Sequence, residues 1–561
     1  MTASTGTPTT TPTSTPTPRR AAGAVLTALA ALLLFVALAA PKQVEQISPA
    51  ALLRIPVEAL AGLALLLVLP ARVRRPVAAV GGALIGVLGL LRVLDMGFLS
   101  VLDRPFDLVL DWVLLGNAKD FLDEAYGPAG AVAAAVAAVV LAVAVVVLAA
   151  LAAVRVTRVV AGHRTVAARG LAALTAAWLA CLALGVQVVA PVPVAARSAA
   201  ALALDKARQV PASLADERQF AAEAASDAFG PTPGSELLAG LRGKDVTLAF
   251  VESYGRSALD DPRISPAVLP ALDAGAAQLA AKGFAARSGW LTSPTFGGGS
   301  WLAHSTLGSG LKIGNQERYR SLVASERTTL SSAFRRAGWE TTGVMPATWH
   351  AWPEARFFGI DRVHDFAAMG YRGPNFGFSP VPDQYALAQF ERLERGRADR
   401  GSLFAQVELT SSHVPYTPTP KPVAWETLGD GAQFTSQVDG AVPADDVLND
   451  GDLARTAYGH ATAYSLSTLF DYVQRYGDDR TVLVFLGDHQ PQRLITGDGD
   501  AVSHDVPITI VAKDPAVLDR IADWHWDAGL RPTAQAPVWP MEAFRDRFLT
   551  AFAQRATPPP A

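Results

Sequence analysis

A single cysteine, Cys181, stands among the 561 residues, and it lies inside an apolar stretch. An intramolecular disulfide framework and a cysteine-rich zinc site are therefore excluded, so stability must come from a packed core. Histidine is nearly absent from the first third, where His163 is the only one of nine before residue 195. A metal or acid–base site is thus expected in the remainder. Basic excess is lacking too: residues 1–194 carry 14 Lys and Arg against 9 Asp and Glu, and the rest 34 against 42. Neither part has the charge of a nucleic-acid binder.

Apolar residues, by contrast, are abundant and unevenly placed. Residues 1–20 are mostly Thr, Pro and Ser repeats ending in Arg19 and Arg20, a composition that cannot bury a core and reads as a disordered cytoplasmic tail. Apolar stretches follow at about 21–40, 51–70, 77–99, 129–154 and 170–191. Each is near the ~20 residues that cross a bilayer as a helix, which predicts a five-helix transmembrane bundle over 21–194. The arginines Arg19/Arg20, Arg72/Arg74/Arg75 and Arg155/Arg158/Arg164/Arg169 fall on one side, placing that side in the cytoplasm. Five crossings then put the C-terminal part outside the cell membrane.

Three local features qualify this plan. Ala37-Leu38-Ala39 resembles a signal-peptidase site, but the apolar run before it is longer than a usual signal, so a retained anchor is expected. The acidic segment from Asp103 to Glu124 has the Phe106, Leu110, Trp112 and Leu114 to lie along the outer interface. Arg92 and Asp95 end the third span, either as snorkelling side chains or as the lining of a lipid headgroup site.

A helical linker is expected over 195–240, and an α/β domain over 241–561, where short β-like runs alternate with helical ones. Strands are expected at Val246–Val251, Thr341–Met345, Leu403–Leu409, Thr481–Leu486 and Ile508–Val511, and helices at Ala267–Lys282, Thr328–Ala337, Asp383–Arg395 and Asp452–Tyr476. Ligands of open α/β sheets gather at strand ends, which singles out Glu252, His413 and the Asp488-His489 pair.

Each candidate has a plain reading beside a chemical one. Glu252 ends VTLAFVE and serves as a hard metal ligand, a helix cap or an ion-pair partner. Ser300 follows Gly297-Gly298-Gly299 as the N-cap of a helix, where the helix dipole also suits a nucleophile or its phosphate adduct. Ser293 and Thr295 are lesser nucleophile candidates. Asp488 and His489 place two metal-ligand types side by side after an apolar strand. His413 and His504 are acid–base groups or loop caps. His304, four residues past Ser300, reaches the pocket or packs in the helix.

In these residues the chain resembles the alkaline-phosphatase superfamily, in its membrane sulfatase-like branch of lipoteichoic acid synthases and phosphoglycerol transferases. Glu252-Ser253, Gly299-Ser300 and Gly487-Asp488-His489 follow the family's order and spacing, and Thr410-Ser411-Ser412-His413-Val414-Pro415-Tyr416 resembles its Thr-x-x-His-x-Pro-Tyr element. The family's Trp-x-Arg substrate element appears as Trp349-His350-Ala351, with Trp352 and Arg356 nearby.

The resemblance implies one divalent metal, Mn²⁺ or else Zn²⁺ or Mg²⁺, held by Glu252, Ser300, Asp488 and His489. It implies Ser300 as nucleophile, His413 at the phosphate, and substrate contacts from the Trp349, Trp352 and Arg356 region; His504 and His304 join them as substrate-binding candidates on their own reading. The activity so implied moves a phosphoglycerol-type group from a phosphatidylglycerol-like lipid to a cell-envelope glycan or glycolipid. Phosphoethanolamine transfer, sulfatase or phosphodiesterase-type hydrolysis, and a non-enzymatic envelope sensor or scaffold are the alternatives. A Cys/Ser-x-Pro-x-Arg element, which marks formylglycine sulfatases, is absent.

Overall fold

The structure, a computed structural model, describes residues 18–42, 47, 53–102, 104–112, 114–189, 192–497 and 502–554. Residues 1–17 of the tail expected over 1–20 and Asp103 of the acidic segment lie outside the described residues, while Pro18, Arg19 and Arg20 begin a helix instead of extending the tail. The chain divides into two compact units that meet near Pro211 and Ala212 in sequence, with residues 100–103 and 109–111 grouped with the second.

The first unit contains helices α1 (Pro18–Ala39), α2 (Val57–Val68), α3 (Ala71–Leu102), α4 (Leu114–Gly162) and α5 (Arg164–Leu184). Four of them hold spans long and apolar enough to cross a membrane: Ala21–Ala39, Ala71–Ser100, Tyr126–Gly162 and Arg164–Leu184. The second expected span differs. Its helix α2 has 12 residues, about 18 Å at 1.5 Å per residue, which is short of a ~30 Å hydrocarbon core. Proline accounts for both limits, since Pro56 is the N-cap and Pro70 follows the C-cap Leu69. Within α4 the helical path breaks at Gly127 (φ 74°), before Pro128. Helix α6 (Ser198–Ala225) covers most of the expected linker and contains Pro211.

The second unit is built on a nine-stranded mixed sheet. Its strands are β1 (Asp245–Val251), β2 (Ala285–Thr292), β3 (Glu340–Met345), β4 (Arg362–Asp365), β5 (Leu403–Leu409), β6 (Thr481–Gly487), β7 (Asp505–Ala512), β8 (Asp527–Ala528) and β9 (Val538–Pro540). They lie in the order β8-β2-β7-β6-β1-β5-β3-β4, with β9 also paired to β2. β6, β1, β5, β3 and β4 run parallel, and β7 is antiparallel to both β6 and β2. The C-terminal ends of β1, β2, β3, β5 and β6 therefore share one edge with the start of β7.

Strands β1 and β6 are buried along their whole length. Alternation sends Val246, Leu248, Phe250, Val482, Val484 and Leu486 to one apolar core, and Ala249, Val251, Leu483 and Phe485 to another. Helices α7 (Ser265–Ala281) and α11 (Gly451–Tyr476) cover the second of these faces, and α9 (Leu330–Arg336) and α12 (Ala543–Phe552) the first. The expected strand and helix ranges agree with these elements to within a few residues.

β2 and β4 were not expected, because polar residues interrupt their apolar pattern. Their partners come from remote sequence. Ser288 donates to the Gly529 carbonyl at 2.6 Å, and Gly289 leaves room for the Trp526 ring. On β4, Arg362 and His364 share a face and both meet Glu394, at 2.7–2.8 Å and 2.6 Å.

Burial opposes ionisation of Glu394, but His364 and Arg362 outweigh it and hold the carboxyl down at about 2. A carboxyl lowered in the folded state stabilises above its unfolded value of 4.5 and loses that contribution as pH falls through about 2. Glu394→Gln is expected to cost about 2 kcal/mol near neutral pH. Urea unfolding should show the gap from the parent protein closing across this acid window; a constant gap would contradict the ion-pair account.

Candidate metal centre

Glu252 sits one residue past β1, where its N–H still donates to the Leu409 carbonyl at 3.0 Å. The sheet ladder thus carries its backbone rigidly to the edge. Ser253 then takes a left-handed conformation (φ 56°), unusual for a side chain without glycine's freedom. Three contacts fix it there: its N–H donates to Asp488 Oδ1 at 2.8 Å, its hydroxyl donates to Glu252 Oε1 at 2.8 Å, and its carbonyl accepts from the Tyr458 hydroxyl at 2.7 Å.

Asp488 and His489 follow β6 directly. Gly487 is required just before them, because a Cβ there would lie 1.8 Å from the Tyr254 carbonyl oxygen. Asp488 Oδ1 accepts from the Ser253 and His489 N–H groups, each at 2.8 Å, while its buried Oδ2 has no hydrogen-bond partner. His489 Nδ1 lies 2.8 Å from the Gln490 carbonyl. A carbonyl only accepts, so Nδ1 carries the proton and the Nε2 lone pair faces the cluster.

Ser300 opens helix α8 (Ser300–Ser309). The expectation that it caps the helix is corrected here: Gly299 (φ 79°) is the N-cap, and Ser300 is the first helical residue. Its hydroxyl makes no capping bond. It donates instead to Glu252 Oε2 at 2.9 Å and lies 3.1 Å from His489 Nε2. The glycine turn is pinned by Gly297 N–H to the Gln490 carbonyl at 2.9 Å. Ser293 and Thr295 are buried beside it, with Ser293 donating to the Asp488 carbonyl at 2.6 Å. That bond commits Ser293 to holding the loop.

Glu252, Asp488 and His489 each offer a ligand atom within 4.8 Å of the others, and all three are buried. Burial and the neighbouring Asp488 push the Glu252 carboxyl above its usual range. Asp488 is pulled well below its range, because the imidazoles of His489 and His304 outweigh its burial. Lone pairs from two carboxylates, an imidazole and a hydroxyl meet in this space, and among the described residues Asp488 Oδ2 accepts no hydrogen bond, with His304 Nε2 3.8 Å away. The hard oxygen donors with one imidazole fit a divalent cation.

His304 lies one helical turn beyond Ser300, its ring against Phe250 at 3.9 Å between centroids. Nδ1 is 3.3 Å from Glu408 and Nε2 is 3.8 Å from Asp488 Oδ2. Burial works against its charge, but these two carboxylates raise the imidazole to about 9. His304 therefore braces Asp488 from behind. Glu408 had no signal in the sequence beyond a charge inside an apolar strand.

His413 stacks on Phe378, with ring centroids 3.8 Å apart, and its Nδ1 lies 2.6 Å from the Val414 carbonyl. Nε2 is the ring's remaining polar atom, and His413 is near enough for its charge to bear on Glu252. His504 stands at the start of β7 with its ring 5.3 Å from that of Phe296. Trp349 packs on Phe366, Trp352 on Phe358, and Arg356 is exposed. These three occupy the loop and short helix after β3, at the same sheet edge, without a described contact to the metal cluster.

No model of a protein family matches this chain, and no curated protein matches it. Among solved structures it is similar to the lipoteichoic acid synthase LtaP from Listeria monocytogenes, at 17% identity over 55% of this chain and 71% of that one, with a TM-score of 0.36. It is similar also to the Streptococcus pyogenes phosphoglycerol transferase GacH, at 12% identity over 60% and 89%, with a TM-score of 0.35. A Vibrio parahaemolyticus protein of the alkaline phosphatase superfamily matches at 17% identity over 53% and 68%, with a TM-score of 0.33.

Two measurements test the centre. Glu252→Ala and Asp488→Ala should each weaken Mn²⁺ binding by at least about 100-fold in calorimetric titration of the full chain; unchanged affinity would refute the ligand assignment. Gly487→Ala should cost about 3 kcal/mol of stability and weaken metal binding, since the added methyl must displace the Tyr254 backbone. A variant with parental stability and affinity would show that the strand end is not so constrained.

Proposed function

We propose that the chain is a membrane-anchored, metal-dependent phosphotransferase with its catalytic unit outside the cytoplasmic membrane. It moves a phosphoglycerol-type group from a phosphatidylglycerol-like lipid to an envelope glycan or glycolipid. The observation that carries this reading is Ser300: a hydroxyl released from capping and held between Glu252 and His489. The apolar N-terminal helices support an anchor near lipid, and Arg72/Arg74/Arg75 with Arg155/Arg158/Arg164/Arg169, which α3 and α4 carry to one side whether or not the 12-residue α2 crosses, favour a cytoplasmic side opposite the exit of α5.

Glu252, Ser300, Asp488 and His489 would hold the cation, for which Mn²⁺ is the first choice. When bound, it supplies Lewis acidity that lowers the hydroxyl pKa and offsets charge on phosphoryl oxygens. Ser300 Oγ then attacks phosphorus, the Oγ–P bond forms, and the P–O bond to the diacylglycerol breaks. The Ser300 proton passes to water and water protonates the departing alkoxide, so the lipid leaves as neutral diacylglycerol and the net charge is unchanged. With Nδ1–H committed to the Val414 carbonyl and the ring angle set by Phe378, His413 donates from Nε2 to a phosphoryl oxygen when the ring is in its imidazolium form. An acceptor hydroxyl attacks phosphorus in turn and restores the serine. Exposed Trp301, beside the nucleophile, and exposed Phe378, on His413, present apolar faces for an acceptor.

Incubation with phosphatidylglycerol and Mn²⁺, followed by acid quench and intact mass, should show a phosphoglycerol adduct that maps to Ser300. Ser300→Ala should remove it and slow diacylglycerol release by about 10³-fold or more. An adduct that survives this substitution sinks the assignment. An adduct formed only from phosphatidylethanolamine transfers the proposal to that headgroup, and metal binding without any lipid turnover favours the sensor or scaffold reading.

A further inference from the structure

Helix α10 (Asp383–Phe390) opens on a carboxylate that the transfer through Ser300 leaves unused. Asp383 is fully buried, at 0% exposure. Pro382 is the N-cap, and the hydrogen bonds of the Asp383 carboxylate go to other elements. Oδ1 accepts the Thr410 N–H at 2.7 Å and the Ser411 N–H at 3.1 Å. Oδ2 accepts the Ser465 hydroxyl of α11 at 2.6 Å. In return, the Asp383 N–H donates to the Ser411 hydroxyl at 3.1 Å.

Residues 410–413 form the turn that leads from β5 to His413. β5 ends at Leu409, whose carbonyl takes the Glu252 N–H, so the next two N–H groups need acceptors outside the sheet. Asp383 serves both. The turn closes with the His413 N–H on the Thr410 carbonyl at 3.1 Å, and its Ser412 hydroxyl donates to the Glu252 carbonyl at 2.6 Å. It is thus tied to Asp383 on one side and to a candidate metal ligand on the other. Helix α11 anchors both sides, since Ser465 holds Asp383 and the Tyr458 hydroxyl holds the Ser253 carbonyl beside Glu252.

Without that carboxylate the Thr410 and Ser411 N–H groups lose their acceptor inside the protein, and the turn must move to find another. We propose that Asp383 is the positioning residue of His413: through the 410–413 turn it sets where the imidazole stands relative to Glu252 and Ser300, and it touches neither substrate nor metal. The proposal rests on the reading of His413 as the donor to a phosphoryl oxygen. Shape matters here more than charge. An Asn side chain accepts both N–H groups through its own Oδ1 and donates to the Ser465 oxygen, while Ser465 turns its proton to the Ala461 carbonyl 3.3 Å away. Alanine has no acceptor, and the serine hydroxyl is one bond too short to reach the turn.

The His413 ring reports its own place, because stacking on Phe378 at 3.8 Å shifts its proton signals upfield. In NMR of the full chain, labelled with ¹³C-histidine and held in micelles with Mg²⁺ instead of paramagnetic Mn²⁺, the shifted signal should vanish in His413→Ala, which assigns it. It should stay in Asp383→Asn and return to the ordinary histidine position in Asp383→Ala. Asp383→Ser should do the same and serves if the alanine variant does not fold. A ring signal that stays shifted in either folded variant overturns the proposal, whether or not lipid is turned over. Diacylglycerol release from phosphatidylglycerol with Mn²⁺ gives a second reading. Asp383→Ala should slow it on the order of 10²-fold while Mn²⁺ affinity is kept, and should cost nothing further in the His413→Ala background. Equal losses in both backgrounds would make Asp383 a general support of the fold and overturn the proposal. A parent chain that turns over no lipid refutes the Ser300 reading instead, and the ring signal alone then decides whether Asp383 places His413.

Discussion

Lone pairs from Glu252, Ser300, Asp488 and His489 crowd into one buried space, and too few protons lie among them to satisfy it. Burial and the neighbouring Asp488 push the Glu252 carboxyl up, while the His489 and His304 imidazoles hold Asp488 down against its burial. A proton or a cation relieves that repulsion. Much of the second unit works to keep the ligands in place against it. The β1 and β6 ladders fix two strand ends, the strained Ser253 ties Glu252 to Asp488, and Gly487 lets the Tyr254 backbone close behind them.

Ser300 acquires its character from this arrangement. As an N-cap its hydroxyl would be occupied by the backbone of its own helix. The left-handed Gly299 takes the capping position, so the hydroxyl turns toward Glu252 and His489. The same helix carries His304 one turn further on, between Glu408 and Asp488. One short element therefore carries both the proposed nucleophile and the imidazole that braces Asp488.

The buried strands were legible because continuous apolar runs such as VTLAFV and TVLVFLG have few other homes, and their polar termini marked Glu252 and Asp488-His489. β2 and β4 were not legible, since Ser288, Arg362 and His364 look like loop residues until Gly529 and Glu394 are brought to them. The Ser253 conformation and the role of Glu408 are likewise products of long-range contacts. In the first unit, hydropathy located the apolar stretches, but Pro56 and Pro70 shortened the second to 12 helical residues. Trp349, Trp352 and Arg356 came from resemblance alone; Trp349 and Trp352 pack on Phe366 and Phe358 and Arg356 is exposed, none of which explains a substrate role.

The central claim is a two-step transfer through Ser300, and its clearest physical signature is stereochemical. Each displacement at phosphorus inverts configuration, so two in succession restore it. A phosphorothioate lipid of defined configuration, turned over with Mn²⁺ and analysed by phosphorus NMR of the product, should show overall retention. Inversion would mean a single direct displacement and would contradict the covalent serine.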